Sequence, residues 1–311
     1  MSSFTVEAPE LHTARSFGVR RKHSAGHILA WVILVLFMLG TLFPFYWMLR
    51  TAFSTTVSLP AHASSLLPAD FTFGAIARVL GLESPAEAQA QGGSGASMAF
   101  GLALRNSLIV STIITVGQIT SCALAAYAFA RLHWPGRNAV FFLFITALMI
   151  PGLFTTLPNF VLMRDLGLMN TYLAIVLPTL LMAPFSVFFL RQFFLGIPRE
   201  IEESAMIDGA GHWRRFTRVI LPMSSSPIIT LALLTFIGAW NDYMWPLLVA
   251  NTPSVRTLTV ALGVFRSQTP QTGPDWAGLM AAALIAAIPI VVLYLVLGKR
   301  IINSIGFSGI K

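Results

Sequence analysis

Charged residues are scarce in this chain of 311 residues. Only 10% of the side chains are charged, 56% are hydrophobic, and the mean hydropathy is +0.75. A soluble domain usually carries about 25% charged residues. Because so few charged side chains cannot cover a water-exposed surface, the composition argues against a soluble protein and predicts a membrane protein.

Cysteine and the usual signatures of catalytic or metal sites are also scarce. The single cysteine, Cys122, cannot form an intrachain disulfide and is expected to pack within an apolar run. The histidines are scattered, with no metal-ligand spacing and no nucleophile–base constellation. The phosphate-loop pattern G-x-x-x-x-G-K-[ST] is missing, because Gly298-Lys299 is followed by Arg300. We therefore expect a chain that is not an enzyme and that binds no metal or cofactor itself.

What the chain has in abundance is long uncharged runs. A helix that crosses a hydrocarbon core of about 30 Å needs about 20 apolar residues. Six runs meet this length, at 28–49, 106–130, 138–163, 166–190, 219–241 and 276–298. The first run exceeds the apolar part of a cleaved signal peptide, which spans about 7–15 residues, so we expect it to be retained. The runs predict an all-α membrane protein with six transmembrane helices.

The basic residues are unevenly distributed between these runs. The formal net charge is +8, and fourteen of the 20 Lys and Arg residues lie at the two termini and near 131–137 and 191–218. Cytoplasmic loops of membrane proteins are enriched in Lys and Arg. We therefore attribute the charge to membrane topology rather than to nucleic-acid binding, and we expect both termini in the cytoplasm.

The longest connection between the runs, 50–100, is expected to be extracytoplasmic. Residues 71–82 within it have the pattern of a short amphipathic helix. The stretch AQAQGGSGAS at 88–97 is rich in Gly and Ser, which is typical of a flexible linker. We interpret it as a tolerated insertion.

Polar residues recur near the apolar runs. Asn159, Asn241 and Asp242 are the candidates for lining a hydrated translocation path, because polar and ionisable residues at membrane depth usually serve a function. Hydrogen bonds between helices explain some of these residues equally well. For Asp242 the alternative is local pairing at the outer interface, with the indole of Trp240 or Trp245.

The stretch EESAMIDGAGHWRRFTRVILP, which ends at Pro222, is unusually charged for this chain. Pro198 suits the start of a helix, and acidic residues in the first turns complement the helix dipole. Asp208-Gly209 predicts the end of that helix, with Gly209 in a left-handed conformation. A second short helix is predicted over 212–221, ended by Pro222. An interfacial helix lying on lipid headgroups is the alternative, but its acidic first half would be repelled by the negative inner leaflet.

Three arginines, Arg214, Arg215 and Arg218, lie in the second predicted helix. We interpret them as headgroup or topology charges rather than as specific contacts.

The spacing within this stretch resembles the cytoplasmic loop of bacterial binding-protein-dependent ABC importers. That loop reads E-A-A, three residues, G, nine residues, I-x-L-P, and the chain has Glu203-Ser204-Ala205, Gly209, Val219, Leu221-Pro222. Ser204 and Val219 depart from the pattern only by small changes of size. The segments NSL at 106–108, AYAFAR at 126–131, WPGR at 134–137 and WNDYMWP at 240–246 are similar to the carbohydrate-uptake branch, and in particular to the smaller maltose-type permease subunit. The resemblance extends from about residue 71 to the C-terminus.

The resemblance implies the type I ABC importer permease fold with a cytoplasmic coupling helix. It divides the chain into a cytoplasmic N-terminal segment (1–27), a first transmembrane helix (28–49), an extracytoplasmic loop (50–100), a permease domain of five helices (101–299) with a coupling loop (198–222), and a cytoplasmic tail (300–311). The residues implied in ATPase coupling are Glu200, Glu203, Ser204, Ala205, Asp208, Gly209, Ala210, Phe216, Leu221 and Pro222.

The implied function is import of a sugar or a related polyol or glycerol phosphate across the bacterial inner membrane. The implied partners are a second permease subunit, two ATPase subunits that bind ATP and Mg²⁺, and an extracytoplasmic solute-binding protein. A type I permease for a non-sugar solute is the first alternative. A secondary transporter or channel is the second, but it predicts internal repeats or intramembrane charge relays, and neither is seen.

Overall fold

The computed structural model describes residues 25–93, 99–267 and 274–305, and the regular elements in these ranges are all helical. The expected cytoplasmic segment up to residue 24, residues 94–97 of the expected linker and the tail from residue 306 lie outside the described residues. The α-helices are α1 (Ala25–Ala52), α2 (Gly74–Val79), α3 (Pro85–Ala90), α4 (Phe100–Arg131), α5 (Arg137–Thr146), α6 (Gly152–Asp165), α7 (Tyr172–Val176), α8 (Pro184–Gly196), α9 (Arg199–Ile207), α10 (His212–Arg215), α11 (Leu221–Met223), α12 (Ser225–Asn241), α13 (Met244–Val249), α14 (Leu258–Ser267) and α15 (Trp276–Ile305).

Three of these helices are long and apolar enough to cross a membrane as single rods: Gly26–Ala52 in α1, Phe100–Arg131, and Trp276–Gly298 in α15. They contain the first, second and sixth predicted runs. In α1 the helix continues through Pro44 without a break. The chain divides into two compact units at residue 47, the first formed by α1 up to that point and the second by the remaining elements.

The other three predicted runs are not straight helices. They form bent pairs, Arg137–Met149 with Gly152–Asp165, Tyr172–Thr179 with Pro184–Gly196, and His212–Met223 with Ser225–Asn241, with bends of 96°, 48° and 78°. By length and composition the structure therefore has three crossings, or up to six if each pair is one span. The fourth run also lies about six residues later in the chain than predicted, because Gly167 and Asn170 adopt positive φ and form a turn before α7.

Two of the breaks have a local cause. Ile150 and Ala183 precede Pro151 and Pro184, and both have extended backbones. A proline ring clashes with a helical conformation of the residue before it, which favours an extended one. The third break, at Ser224, has no proline after it, and we have no local account of it.

Helix α4 is the central element of the larger unit. Its second half packs against α8 and the π-helical turn Phe216–Ile220, in a core that includes Cys122, Tyr127 and Phe194. Cys122 is fully buried, which confirms the predicted packing role. At Gly117 a Cβ atom would lie 2.4 Å from Leu180 Cδ1, so only glycine permits this close approach.

The connection between α1 and α4 is more ordered than its composition indicates. The short helix predicted over 71–82 is confirmed as α2. Ser84 and Glu87 form a capping box at the start of α3. Arg78 contacts Asp275 at the start of α15 (Nη2–Oδ1 3.2 Å) and donates to Gln91 Oε1 (3.1 Å). Residues 88–90 form the end of α3, and Gln91 after it is contacted by Arg78, whereas the composition of this stretch predicts a flexible linker.

Asn106 of α4 is a buried polar link between distant parts of the larger unit. Its Nδ2 donates to the carbonyls of Ser254 and Arg256, both at 3.0 Å, and its Oδ1 accepts from the Tyr172 hydroxyl at 2.6 Å. All its side-chain hydrogen-bonding groups therefore have protein partners within one packed site.

Replacement of Asn106 by Leu should destabilise the protein, because it keeps the branch at Cγ but leaves two carbonyls and a hydroxyl without their partner. Each buried group left unpaired costs about 1–3 kcal/mol. We expect a lower midpoint of thermal unfolding in detergent, measured by tryptophan fluorescence. Thr120→Leu, at an exposed position of the same helix, is the matched control. Equal midpoints for the two variants would show that the link contributes nothing.

Candidate functional site

The charged stretch forms a short helix with the predicted ends. Helix α9 follows Pro198, with Glu200 and Glu202 in its first turn, and it ends before Asp208. Gly209 has φ +78°, the left-handed conformation that glycine adopts without steric cost. The amides of Gly209 and Ala210 donate to the carbonyls of Met206 and Ala205, which pairs the last carbonyls of the helix. The predicted helix and its glycine stop are confirmed.

The second predicted helix differs in detail from the expectation. Its residues form α10, then the π-helical turn Phe216–Ile220, then α11. Pro222 was expected to end the helix, but it lies inside α11, and the bend occurs at Ser224. Proline is tolerated in the first turn of a helix, because no intrahelical partner is needed for its missing N–H. The prediction for Pro222 is therefore wrong.

The residues implied in ATPase coupling divide into an exposed and a buried group. Glu200, Glu203, Ser204, Asp208 and Gly209 are exposed on and after α9, as is Pro222. Ala205, Ala210 and Leu221 are half-buried, and Phe216 is buried against Tyr127 with a ring-centroid distance of 5.1 Å. Among the described ion pairs none includes Glu203. The exposed acids therefore form a free face, and Phe216 belongs to the core.

Glu202 is not among the residues implied in ATPase coupling, and in contrast to Glu203 it is buried against the rest of the chain. Only 7% of the residue is exposed. Its Oε2 lies 3.4 Å from Arg131 Nε, its Oε1 lies 4.0 Å from Arg215 Nη1, and Oε1 accepts a hydrogen bond from the Tyr127 hydroxyl at 3.2 Å. The signal available in the sequence was its position three residues before Ala205, on the face that packs.

The structure corrects the interpretation of Arg215 as well. It was interpreted as a headgroup or topology charge, yet it is 9% exposed, and its Nη2 donates to His212 Nδ1 at 2.6 Å. Arg214 and Arg218 are exposed, as expected for such charges. The neighbouring acid explains the difference, because a buried guanidinium requires an opposite charge and Glu202 provides it.

Arg131, the last residue of α4, connects this site to the end of α8. Its Nη2 donates to the carbonyl of Phe194 and to that of Ile197, the latter at 2.6 Å. A cation at the carboxyl end of a helix satisfies carbonyls that have no intrahelical partner. The same guanidinium therefore contacts α8 and, through Glu202, α9.

A cleft of about 350 Å³ lies beside α9. Its lining is mostly polar and charged, with contributions from α4, α9 and α10: Arg131, His133, Arg199, Glu202, Glu203, Met206, His212 and Arg215. In the described part of the chain, no group of three or more His, Cys, Asp or Glu side chains is arranged to hold a metal ion. The cleft is a charged surface feature bordered by α4, α9 and α10.

The three candidates for the translocation path lie in different settings. Asn159 is half-buried in α6, and Asn241 is exposed, with its Nδ2 bonded to Ile237 O of its own helix at 3.0 Å. Asp242 follows α12 and accepts a hydrogen bond from the Trp245 amide at 3.4 Å. The indole of Trp245, an expected partner of Asp242, donates instead to the carbonyls of Ala174 and Ile175. Burial raises the pKa of the Asp242 carboxyl, and the amides of Trp245 and Met244 partly oppose that rise.

Comparison with known proteins places the chain among transport proteins. The profile of the family described as "Binding-protein-dependent transport system inner membrane component" matches residues 118–305. The "Probable ABC transporter permease protein YurM" of Bacillus subtilis (strain 168) is 31% identical over 311 residues, covering 99% of this chain and 97% of that protein. The "sn-glycerol-3-phosphate transport system permease protein UgpE" of Yersinia pestis bv. Antiqua (strain Antiqua) is 36% identical over 211 residues, covering 67% of this chain and 74% of that protein.

A solved structure shares the fold. It is a chain of a bacterial ABC transporter involved in the import of the acidic polysaccharide alginate, with a TM-score of 0.75 and 22% sequence identity, covering 90% of this chain and 97% of that one. The fold implied by the loop motif, that of a type I ABC importer permease, is thus confirmed. The family profile and the relative matched over 97% of its length show that this multi-pass membrane chain belongs to the family of inner membrane components of binding-protein-dependent transport systems.

Proposed function

We propose that this chain is one of two permease subunits of an ABC importer that takes up a sugar, or a related polyol or glycerol phosphate. Three relatives support that solute class by what they transport. UgpE is named for sn-glycerol-3-phosphate. AraQ of Halalkalibacterium halodurans, 34% identical over 206 residues, is named for arabinooligosaccharides. The structural neighbour imports alginate.

The observation that carries the proposal is the free acidic face of α9. Glu203 and its exposed neighbours project from a short helix that the rest of the chain holds in place, and the chain offers Glu203 no ion-pair partner within the described residues. An acidic helix of this kind fits a groove with basic side chains on another protein. The distribution of Lys and Arg supports a cytoplasmic position for this face, where it would meet an ATPase subunit.

In the proposed mechanism this chain changes conformation, and ATP hydrolysis takes place on partner subunits. Two partner ATPase subunits bind ATP and Mg²⁺, and their closure moves α9, which is seated in the groove of one of them. The helical bundle then changes its access from one side of the membrane to the other as a rigid body, driven by the difference in binding free energy between the two states. Hydrolysis and product release in the ATPase reset the cycle.

The remaining partners are a second permease subunit and an extracytoplasmic binding protein. A second structural neighbour, with a TM-score of 0.58, was solved as the alginate transporter in complex with an alginate pentasaccharide-bound periplasmic protein. This supports a binding protein as the source of solute here. Asn159, Asn241 and Asp242 are the proposed polar lining of the path in this chain.

Glu203→Gln should release the ATPase, because it removes the charge that pairs with a basic groove while keeping the shape of the side chain. Loss of one partner of a buried interfacial charge pair costs about 2–5 kcal/mol. We expect at least about a tenfold loss of ATPase that co-purifies with the membrane complex. Asp165→Asn, at an exposed acid beside Arg164, is the control for loss of one surface charge. Undiminished retention by the Glu203 variant would contradict the proposed docking face.

Gly209→Ala should weaken the end of α9 without any steric clash. A Cβ at Gly209 would meet no atom within 4 Å, but φ is +78° there, and a left-handed residue other than glycine costs about 1–2 kcal/mol. We expect faster amide exchange across residues 199–210 and lower ATPase retention. Gly211→Ala is the matched control, because Gly211 has φ −67° and equally open space. If the two alanine variants behave alike, the left-handed turn is not what holds the helix.

The solute class is tested by uptake into vesicles that contain the assembled importer and its binding protein. The probes are radiolabelled sn-glycerol-3-phosphate, an arabinooligosaccharide and an alginate oligosaccharide, with phosphate and an amino acid as non-sugar probes. We expect ATP-dependent uptake of a carbohydrate or polyol-phosphate probe. Uptake confined to a non-sugar probe would overturn the solute assignment, and uptake that needs no ATPase would overturn the importer itself.

A further inference from the structure

Two adjacent carboxylates of α9 lie in opposite environments. Glu203 is exposed, whereas Glu202 has 9% of its side chain exposed and is enclosed by residues of this same chain. Successive residues of an α-helix point roughly 100° apart, so the two carboxylates extend in different directions from α9, although both border the cleft beside it. The docking face described above uses Glu203 and leaves the role of Glu202 open.

The group around Glu202 is here called the Glu202 clamp and consists of Tyr127, Arg131, Glu202 and Arg215. Two of its members come from the last turns of α4 and one from α10. Arg131 and Arg215 have side chains that are 5% and 10% exposed. The Glu202 carboxylate therefore joins α9 to α4 and α10 through two ion pairs and the hydrogen bond from the Tyr127 hydroxyl, at the wall of the cleft.

The residues of the Glu202 clamp also contact or lead into other helices of the larger unit. Arg131 also holds the carbonyls of Phe194 and Ile197 at the end of α8. Helix α8 and α4 pack together along the core, and α10 leads through the π-helical turn and α11 into α12. The Glu202 carboxylate therefore connects α9 to α4 and α8 through Arg131, and to α10 and the chain leading to α12 through Arg215.

We propose that Glu202 is a positioning residue that fixes α9 to the ends of α4 and α10, so that movement of the docked helix is transmitted to the bundle. This inference rests on the proposed function. Glu203 binds the ATPase, and Glu202 transmits the movement of α9 to the bundle. Loss of the Glu203 charge therefore removes docking. Loss of the Glu202 charge removes transmission while docking persists.

The test uses the complete complex purified with its ATPase and follows amide exchange by mass spectrometry, with and without a non-hydrolysable ATP analogue. The reporter is the segment 243–258, which begins just after α12. Helix α12 spans roughly 25 Å between the bend at Ser224 and this reporter. In the wild type, nucleotide changes exchange at the reporter. In Glu202→Gln we expect that change to fall by at least about fivefold, the lower end of typical coupling between distant sites, with ATPase retention preserved.

Glu203→Gln is the matched variant on the neighbouring residue, and it should lose the ATPase and the response together. Tyr127→Phe removes only the hydroxyl, leaves both ion pairs, and should give a smaller loss in the same direction. It keeps the test valid if Glu202→Gln fails to reach the membrane.

Three results would overturn the inference: an undiminished reporter response in Glu202→Gln and Tyr127→Phe, loss of the ATPase from both, or a wild-type complex that holds its ATPase but shows no response at the reporter. A wild-type chain that retains no ATPase would instead overturn the proposed function.

Discussion

A carboxylate that is almost cut off from water must be neutralised by its own protein, and this requirement organises the charged end of the molecule. Burial of an unpaired charge is so unfavourable that such groups are paired or change their protonation. Glu202 meets the requirement with two guanidinium groups and a phenol. Two of these partners belong to α4, so a nine-residue helix is paired with a helix that ends 68 residues earlier in the chain.

The same central helix is tied down near both of its ends by buried polar groups. Near its start, Asn106 joins α4 to residues 254–256 and to Tyr172. At its finish, Arg131 joins it to α8 and α9. Polar links between otherwise apolar helices have few competing partners away from water, so they fix which surfaces meet. Between the two ends, small residues such as Gly117 and Ala123 let neighbouring elements approach closely.

The parts of this structure that the sequence predicts are those with local causes. Apolar length predicts the helices. Proline explains two of the three breaks, since the residues before Pro151 and Pro184 leave the helical conformation, although α1, α6 and α15 continue through Pro44, Pro158 and Pro289. Asp208-Gly209 predicts the end of α9, because glycine adopts a left-handed conformation without steric cost. By contrast, residues 88–93 look flexible by composition, yet Arg78 and Gln91 fix them through contacts that composition does not encode.

The role of Glu202 cannot be predicted from the residues near it in the sequence, for a specific physical reason. Glu200, Glu202 and Glu203 all lie near the start of a helix, where the dipole explains any acid equally well. Which of the three turns inward is decided by the positions of Tyr127 and Arg131, which are distant in sequence. Glu203 points about 100° away from Glu202 around the helix axis and is exposed. The surface offered to a partner protein is thus the part of α9 that the internal ion pairs of Glu202 leave exposed.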